Sequence, residues 1–461
     1  MRNSLLVLLF IFWSGFTSTA QQVDMKFNIT GFQESEIFIG HHFGNQKFLV
    51  DSVSVDNGKF IFSIKDPKQG IYFLYTPNYY LEFILDGNSF SFETSVIGGY
   101  KELQVKGSIE NNLFKKFQVE LGSLQNEQRS LIAKLNTANT QDSLLIYEQL
   151  DQMNGEMKIM RGKLINENEN TFFAQFLKLL DQEEVPAMFS VADVQQRNLL
   201  RYLYAKNHYF PDELLADPRM LRTPVLHEKA INYFENVIIQ QPDSINQALD
   251  WFFGQLKRDQ ELERYWLVTL FKLYADNKTM GMDAVTIHLI ENYYLKGRAP
   301  WISEEYRKQL KDEVAFTKPN LLGKIAPPID AVDSLMQPFY LDRISSPYTL
   351  LFIYDPDCGH CKKTIALLEK QDEKVNELGI TIVALCTTTD IKRWKEFVRQ
   401  ANPNWIHLID PTGKSYFRVQ YDVRSTPKIY LLDGDKKILA KKLETDQFLD
   451  FTEWHSANAR Q

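Results

Sequence analysis

The sequence predicts a multidomain chain: an N-terminal antiparallel β-sandwich or barrel, a middle all-α domain and a C-terminal α/β fold. Three changes of pattern carry this prediction. Apolar residues alternate in short runs up to about Lys106, then recur at helical spacing from Ile109 to Phe316. Beyond Lys318, continuous apolar runs alternate with helical segments. A length of 461 residues exceeds what one ordinary core organises. The expected boundaries are residues 1–20, 21–108, 109–316 and 317–461. Hydrophobic residues make up 44% and charged residues 24%, the balance of a globular protein. A formal net charge of −7, with no long Lys/Arg block, argues against a nucleic-acid partner.

Residues 1–20 read as a cleaved export signal. Arg2 supplies the positive end, Leu5 to Trp13 is a short apolar core, and Ser18-Thr19-Ala20 places small residues before Gln21. The apolar run is short for a membrane span, and no later segment reaches that length. No cysteine adjoins the cleavage point, so no lipid anchor is expected. The expected location is periplasmic or otherwise exported, with no membrane span in the mature chain.

The N-terminal strands follow from alternation at Met25–Ile29, Phe60–Ile64 and Leu103–Val105. Breaks fall at Asp56-Asn57-Gly58, Asp66-Pro67, Asp86-Gly87-Asn88 and Gly98-Gly99. The pair His41-His42 invites a metal reading, but neighbours on a strand point to opposite faces and no third ligand is suitably spaced. Surface or turn histidines are expected there. In the middle region Leu113, Phe117, Leu121 and Leu124 open a long helical hairpin, broken near Asn136 to Thr140. Further helices are expected around Phe172, Leu199, Ala230, Ala248, Tyr265 and Ala284, with prolines at the breaks. His208, His227 and His288 are scattered over different helices and read as packing or capping residues.

The C-terminal region is entered through the Pro- and Gly-rich segment Lys318 to Pro328. Apolar strands are expected at Tyr348–Tyr354 and Ile380–Leu385, and helices at Thr364–Leu378 and Asp390–Gln400. A hairpin of Lys428–Leu432 and Lys437–Leu443 precedes a last helix from Thr445 to about Trp454. Two of the chain's three cysteines lie in Asp357-Cys358-Gly359-His360-Cys361-Lys362, at a strand–helix junction. A disulfide closing so small a loop stabilises little by chain entropy, so the pair is expected to do redox work. Cys358, at the start of the helix, is the expected nucleophile, because the helix N-terminus favours a thiolate. Cys361, one turn further in, is placed to attack the mixed disulfide. Between them Gly359 and His360 complete the centre, His360 adding a dipole or a positive charge beside the thiolate. Thr426-Pro427, just before a strand, could adopt the cis form and set the Thr426 backbone opposite Cys358 as a substrate-pairing edge.

With these motifs in place, the region from about Leu321 resembles the thioredoxin superfamily. More narrowly it resembles the exported TlpA-like thiol–disulfide oxidoreductases. The residues that carry the resemblance are Cys358-Gly359-His360-Cys361-Lys362-Lys363, the strand before them, and Thr426-Pro427, whose proline follows Cys358 by 69 positions. That interval is longer than in minimal thioredoxins and fits an inserted strand–helix unit. The whole chain is similar to multidomain thiol–disulfide proteins of Bacteroidetes, whose N-terminal and middle regions have no assigned function. The resemblance implies a C-terminal thioredoxin-like fold in which Cys358 attacks, Cys361 resolves and the loop at Thr426-Pro427 receives substrate. It also implies a redox-active Cys358–Cys361 disulfide as the sole redox group, with no separate cofactor and no metal. The expected partners are protein thiols and disulfides, and an upstream redox partner.

The chain departs from these families at three places. Phe352 stands where many thioredoxins have a buried acid, and Thr364 where many TlpA-like reductases have Glu. Asp357 replaces the usual aromatic before the first cysteine. Asp355 and Asp357 are therefore the remaining candidates for the proton acceptor. Cys386, at the end of an apolar strand, reads as a small core residue. The reading from residues and resemblance together is an exported oxidoreductase exchanging disulfides with proteins, as reductase or isomerase. The alternative is a partner-binding or scaffolding protein whose β and helical regions dominate, its redox domain being regulatory or vestigial.

Overall fold

Alternation decides the first strand: in Gln22–Thr30 (β1), Val23, Met25, Phe27 and Ile29 are buried and their neighbours are not. The computed structural model describes residues 22–181, 185–186, 193–211 and 213–458, so the export signal expected at residues 1–20 lies outside the described residues. They gather into two compact units. One runs to Ile238 and includes Gly254–Leu262; the other comprises Ile239–Phe253 and the chain from Glu263 onward. Helices of the region expected at 109–316 occur in both.

In the first unit seven more strands follow β1. They are Glu36–Phe43 (β2), Gln46–Ser54 (β3), Lys59–Lys65 (β4), Gly70–Thr76 (β5), Tyr79–Leu85 (β6), Phe90–Ser95 (β7) and Gln104–Lys106 (β8). They form two four-stranded sheets, ordered β4-β1-β7-β8 and β3-β2-β5-β6. Phe27, Phe62 and Phe92 from one sheet share a core with Ile39, Leu74 and Phe83 from the other, which makes the unit a β-sandwich. The pairings are antiparallel except β1 with β7, which is parallel. His42, expected at the surface, is instead 4% exposed. It lies on the sheet face away from the sandwich core, covered by Phe73, and its Nε2 lies 2.8 Å from Glu82 Oε1. A carboxylate from β6 of the same sheet is the ring's partner.

The expected helical hairpin is present as Ile109–Leu135 and Thr140–Glu167. Ser108 caps the first helix by accepting from Asn111 N–H at 3.1 Å. The buried Asn111 then exchanges two hydrogen bonds of 2.7 Å with the backbone of Ile84 in β6, seating the helix on the sandwich.

The second unit holds a five-stranded sheet. Its strands are Tyr348–Tyr354 (β9), Ile380–Cys386 (β10), Ile406–Ile409 (β11), Lys428–Leu432 (β12) and Ile438–Lys441 (β13), in the order β11-β10-β9-β12-β13. β10 runs parallel to β9 and β11, and β12 antiparallel to β9 and β13. Every residue of β9 is buried, because both faces of the sheet are covered. Leu350, Phe352 and Tyr354 enter one core with Trp394; Leu351 and Ile353 enter the other with Tyr421 and Tyr430.

Two local expectations change. The helix expected at Thr364–Leu378 begins at Gly359, ends at Lys370 and is followed by a second helix at Asp372–Glu377. No strand was placed at β11, although an inserted strand–helix unit was expected between Cys358 and Pro427; β11 and the short helix Phe417–Gln420 lie in that interval. Among the described residues no helix is long and apolar enough to cross a membrane.

Phe83 is fully buried and has the rings of Phe27, Phe90 and Phe92 at centroid distances of 5.7, 5.6 and 6.0 Å. Phe83→Ala should lower the unfolding free energy of the sandwich by about 3–5 kcal/mol, read by denaturant titration of the intact chain.

Candidate active site

The buried strand β9 delivers the chain to a turn in which Asp355 makes two contacts. Its carbonyl accepts from Cys358 N–H at 3.1 Å, and its Oδ1 accepts from Asp357 N–H at 2.9 Å. The turn leaves Cys358 as the cap of helix Gly359–Lys370, in extended backbone geometry. From that position its Sγ accepts a hydrogen bond from Cys361 N–H at 3.2 Å. A cap position, a helix N-terminus and an inward-facing partner thiol thus follow from one local conformation.

The two thiols differ in environment. Both are free, as is Cys386. Cys358 is half-buried, whereas Cys361 is fully buried. Burial works against a Cys358 thiolate, but hydrogen bonds from the Cys361 thiol and backbone N–H outweigh it and hold this thiol below its ordinary value. Burial, reinforced by the neighbouring Cys358, pushes the Cys361 thiol up to about 12. One sulfur is therefore prepared as thiolate and the other held as thiol.

Thr426-Pro427 faces this pair. The peptide bond between them is cis, and the Cys358 thiol donates to the Thr426 carbonyl at 3.4 Å. The two halves of the site expected from sequence are thus in contact although they lie far apart in the chain.

The other expected residues take different positions. His360 and Gly359 are exposed on the first helical turn. A Cβ at Gly359 would meet nothing within 4 Å, so packing does not require glycine there. Asp357 is exposed, and its carboxylate pairs with Arg393. The Asp355 carboxylate is held through Oδ2 by the Thr387 hydroxyl at 2.9 Å, while Arg418 donates to the Thr387 carbonyl. Neither carboxylate forms a hydrogen bond to a cysteine thiol among the described contacts. Phe352 is fully buried and stacks on Tyr354 at 5.5 Å, and Thr364 is buried on the second helical turn. Cys386 is fully buried opposite Tyr354 in the β9–β10 register. Burial pushes its thiol up to about 11, which suits a core residue. Thr387, Arg393 and Arg418 had no signal in the sequence, since each reaches the site only through the fold.

A dithiol at the start of a helix, fed by a central buried strand and faced by a cis-proline loop on the adjacent strand, defines a thioredoxin-like redox fold. Residues 347–438 match a family described as thioredoxin-like. Residues 138–320 match a domain of unknown function, DUF5106, and residues 24–114 another, DUF4369.

Among solved structures, a thioredoxin-like protein from Bacteroides caccae is 19% identical over 60% of this chain and 98% of its own, with a TM-score of 0.44. A domain of a possible thiol-disulfide isomerase from Cytophaga hutchinsonii is 29% identical over 30% of this chain and 96% of its own, with a TM-score of 0.28. The thioredoxin domain of a thiol-disulfide oxidoreductase from Bacteroides vulgatus is 24% identical over 29% and 96%, with a TM-score of 0.27. No curated protein matches the chain.

The asymmetry of the thiols is measurable. In the reduced protein, iodoacetamide should modify Cys358 with a pH midpoint below the free-thiol value of about 8.5, and should spare Cys361 until the protein unfolds. Peptide mass mapping across pH reads both, and a Cys358 midpoint at or above the free-thiol value would contradict the assignment.

Proposed function

We propose that the protein is an exported thiol–disulfide oxidoreductase that exchanges disulfides with protein substrates through Cys358 and Cys361, as a reductase or isomerase. The observation that carries this reading is the opposed setting of the two thiols beside Thr426: Cys358 is lowered and half-buried, Cys361 raised and buried. Export rests on the signal-like residues 1–20.

In the reductive direction the Cys358 thiolate attacks one sulfur of a substrate disulfide. A mixed disulfide forms, and the other substrate sulfur leaves as a thiolate that takes up a proton. Cys361 then gives up its proton and attacks Cys358 Sγ. The second substrate sulfur leaves, and two electrons have passed from the dithiol to the substrate. The product is a Cys358–Cys361 disulfide, which an external dithiol must reduce before the next turnover.

The raised Cys361 thiol protects the mixed disulfide from premature resolution, because only its thiolate attacks. The backbone of Thr426 offers an edge on which an extended substrate chain can pair. Asp355 builds the turn that leads into the dithiol, its carbonyl accepting from Cys358 N–H, and its carboxylate already accepts from Thr387. We assign it the proton-accepting role ahead of Asp357, whose charge is engaged by Arg393.

Insulin reduction with dithiothreitol as electron source should be accelerated by the wild type and fall to the uncatalysed rate with Cys358→Ala. Cys361→Ala should instead accumulate a mixed disulfide with substrate, visible on non-reducing gels. Equal rates for wild type and Cys358→Ala would remove the reading.

A further inference from the structure

A cavity of about 580 Å³ lies beside the redox pair, within the second unit. Pro427 and Thr364 both line it. Pro427 directly follows the residue whose carbonyl accepts from Cys358, and Thr364 lies one helical turn beyond Cys361. One wall is formed by β12 and β13, including Lys441. The other is formed by residues before the thioredoxin-like segment, including Asp283 and Tyr306. The volume falls in the range of ordinary ligand sites, roughly 300–1,000 Å³.

The hydrogen-bonding groups at its base are incompletely used. Lys441 is only 3% exposed, and its ammonium donates to Asn320 Oδ1 at 3.1 Å and lies 2.7 Å from Asp283 Oδ2. An ammonium carries three donors, so at least one remains. Both oxygens of the Asp283 carboxylate are buried without a hydrogen-bond partner among the described residues, the contact of Oδ2 with Lys441 being an ion pair. A buried acceptor in that state calls for an explanation. Here it sits beside a buried donor with a hydrogen to spare. The remaining donor and acceptor complement a peptide group, whose carbonyl would accept from Lys441 and whose N–H would donate to Asp283. Lys442 also lies 3.5 Å from Asp283 Oδ2, and across the whole lining the acids Asp283, Glu313, Asp422 and Glu444 equal in number the bases Arg424, Lys428, Lys441 and Lys442, so the site favours a neutral main-chain group over an ion of either sign.

We propose that this cavity binds the main chain of a protein substrate next to the cysteine captured by Cys358, with Asp283 and Lys441 as specificity-determining residues. The proposal rests on the disulfide-exchange reading above and adds a substrate wall supplied from outside the thioredoxin-like segment. A chain held along Thr426 continues past Pro427 into the cavity, whereas a small disulfide reaches Cys358 without entering it. The helices carrying Asp283 and Tyr306 thereby select peptide substrates over small ones.

The test compares kcat/KM of the full-length protein on a ten-residue peptide disulfide and on 5,5′-dithiobis(2-nitrobenzoate). Asp283→Ala should lower the ratio of peptide to small-disulfide kcat/KM about tenfold, the worth of one hydrogen bond to a charged group, through KM rather than kcat. Gln309→Trp places a bulky ring on an exposed lining residue and should lower the same ratio. It decides the matter if Asp283→Ala does not fold. Trapping the peptide on the Cys361→Ala variant should also slow hydrogen exchange in Asp283–Leu289, which trapping thionitrobenzoate should not do.

An unchanged ratio in a folded variant, or equal losses on both substrates, would overturn the proposal. Activity that survives Cys358→Ala would overturn the functional reading itself, whatever the ratio shows.

Discussion

The hydrogen bond from Cys361 N–H to Cys358 Sγ is 3.2 Å long and joins the two sulfur-bearing residues within the first turn of one helix. It exists because Cys358 occupies the cap, where a side chain facing the open N–H groups is the ordinary way to satisfy them. The same contact makes Cys358 the favoured thiolate, and the helical rise carries Cys361 into the core. A donor that would otherwise face water here faces a nucleophile. Cap stability and thiol activation are one interaction, so the helix cannot lose the contact without changing the chemistry.

That interaction needs a rigid approach on both sides. β9 supplies one side: it is buried on both faces between two apolar cores, so its end has little freedom to shift. β12, paired antiparallel to β9, supplies the other, bringing Thr426 to the sulfur. The Asp355 turn, braced by Thr387, closes the gap between strand and helix. The cost of placing a half-buried thiolate is thus met by elements whose own stability comes from apolar burial elsewhere in the unit.

Much of the site was legible in the chain because its information is local. Two cysteines three positions apart after an apolar run specify a helix-capping dithiol, and a proline before a strand marks the facing loop. What failed to show was shorter or more distant. β11 spans only Ile406–Ile409, too few residues for an alternation to stand out, and it contains His407. The first turn of the active-site helix, Gly359-His360-Cys361, has no apolar periodicity, so apolar spacing placed the helix only from Thr364, while the dithiol itself marked its start at Cys358. His42 looked like a surface residue because its partner, Glu82, lies on a different strand.

The sequence by itself determined the three-part pattern of strands, helices and an α/β end, the identity of both thiols, and the proline that faces them. Each depends on residue type and spacing along a few residues. That Cys361 is the better shielded of the pair follows from its place one turn into the helix; only the tertiary structure decided that it is fully buried. It also decided that Asp357 is engaged by Arg393, and that Asp283 and Lys441 meet at the base of a cavity beside Pro427. Burial and charge pairing are properties of space rather than of neighbours in the chain, and the dielectric around a group, which sets its acidity, forms only when distant segments close over it.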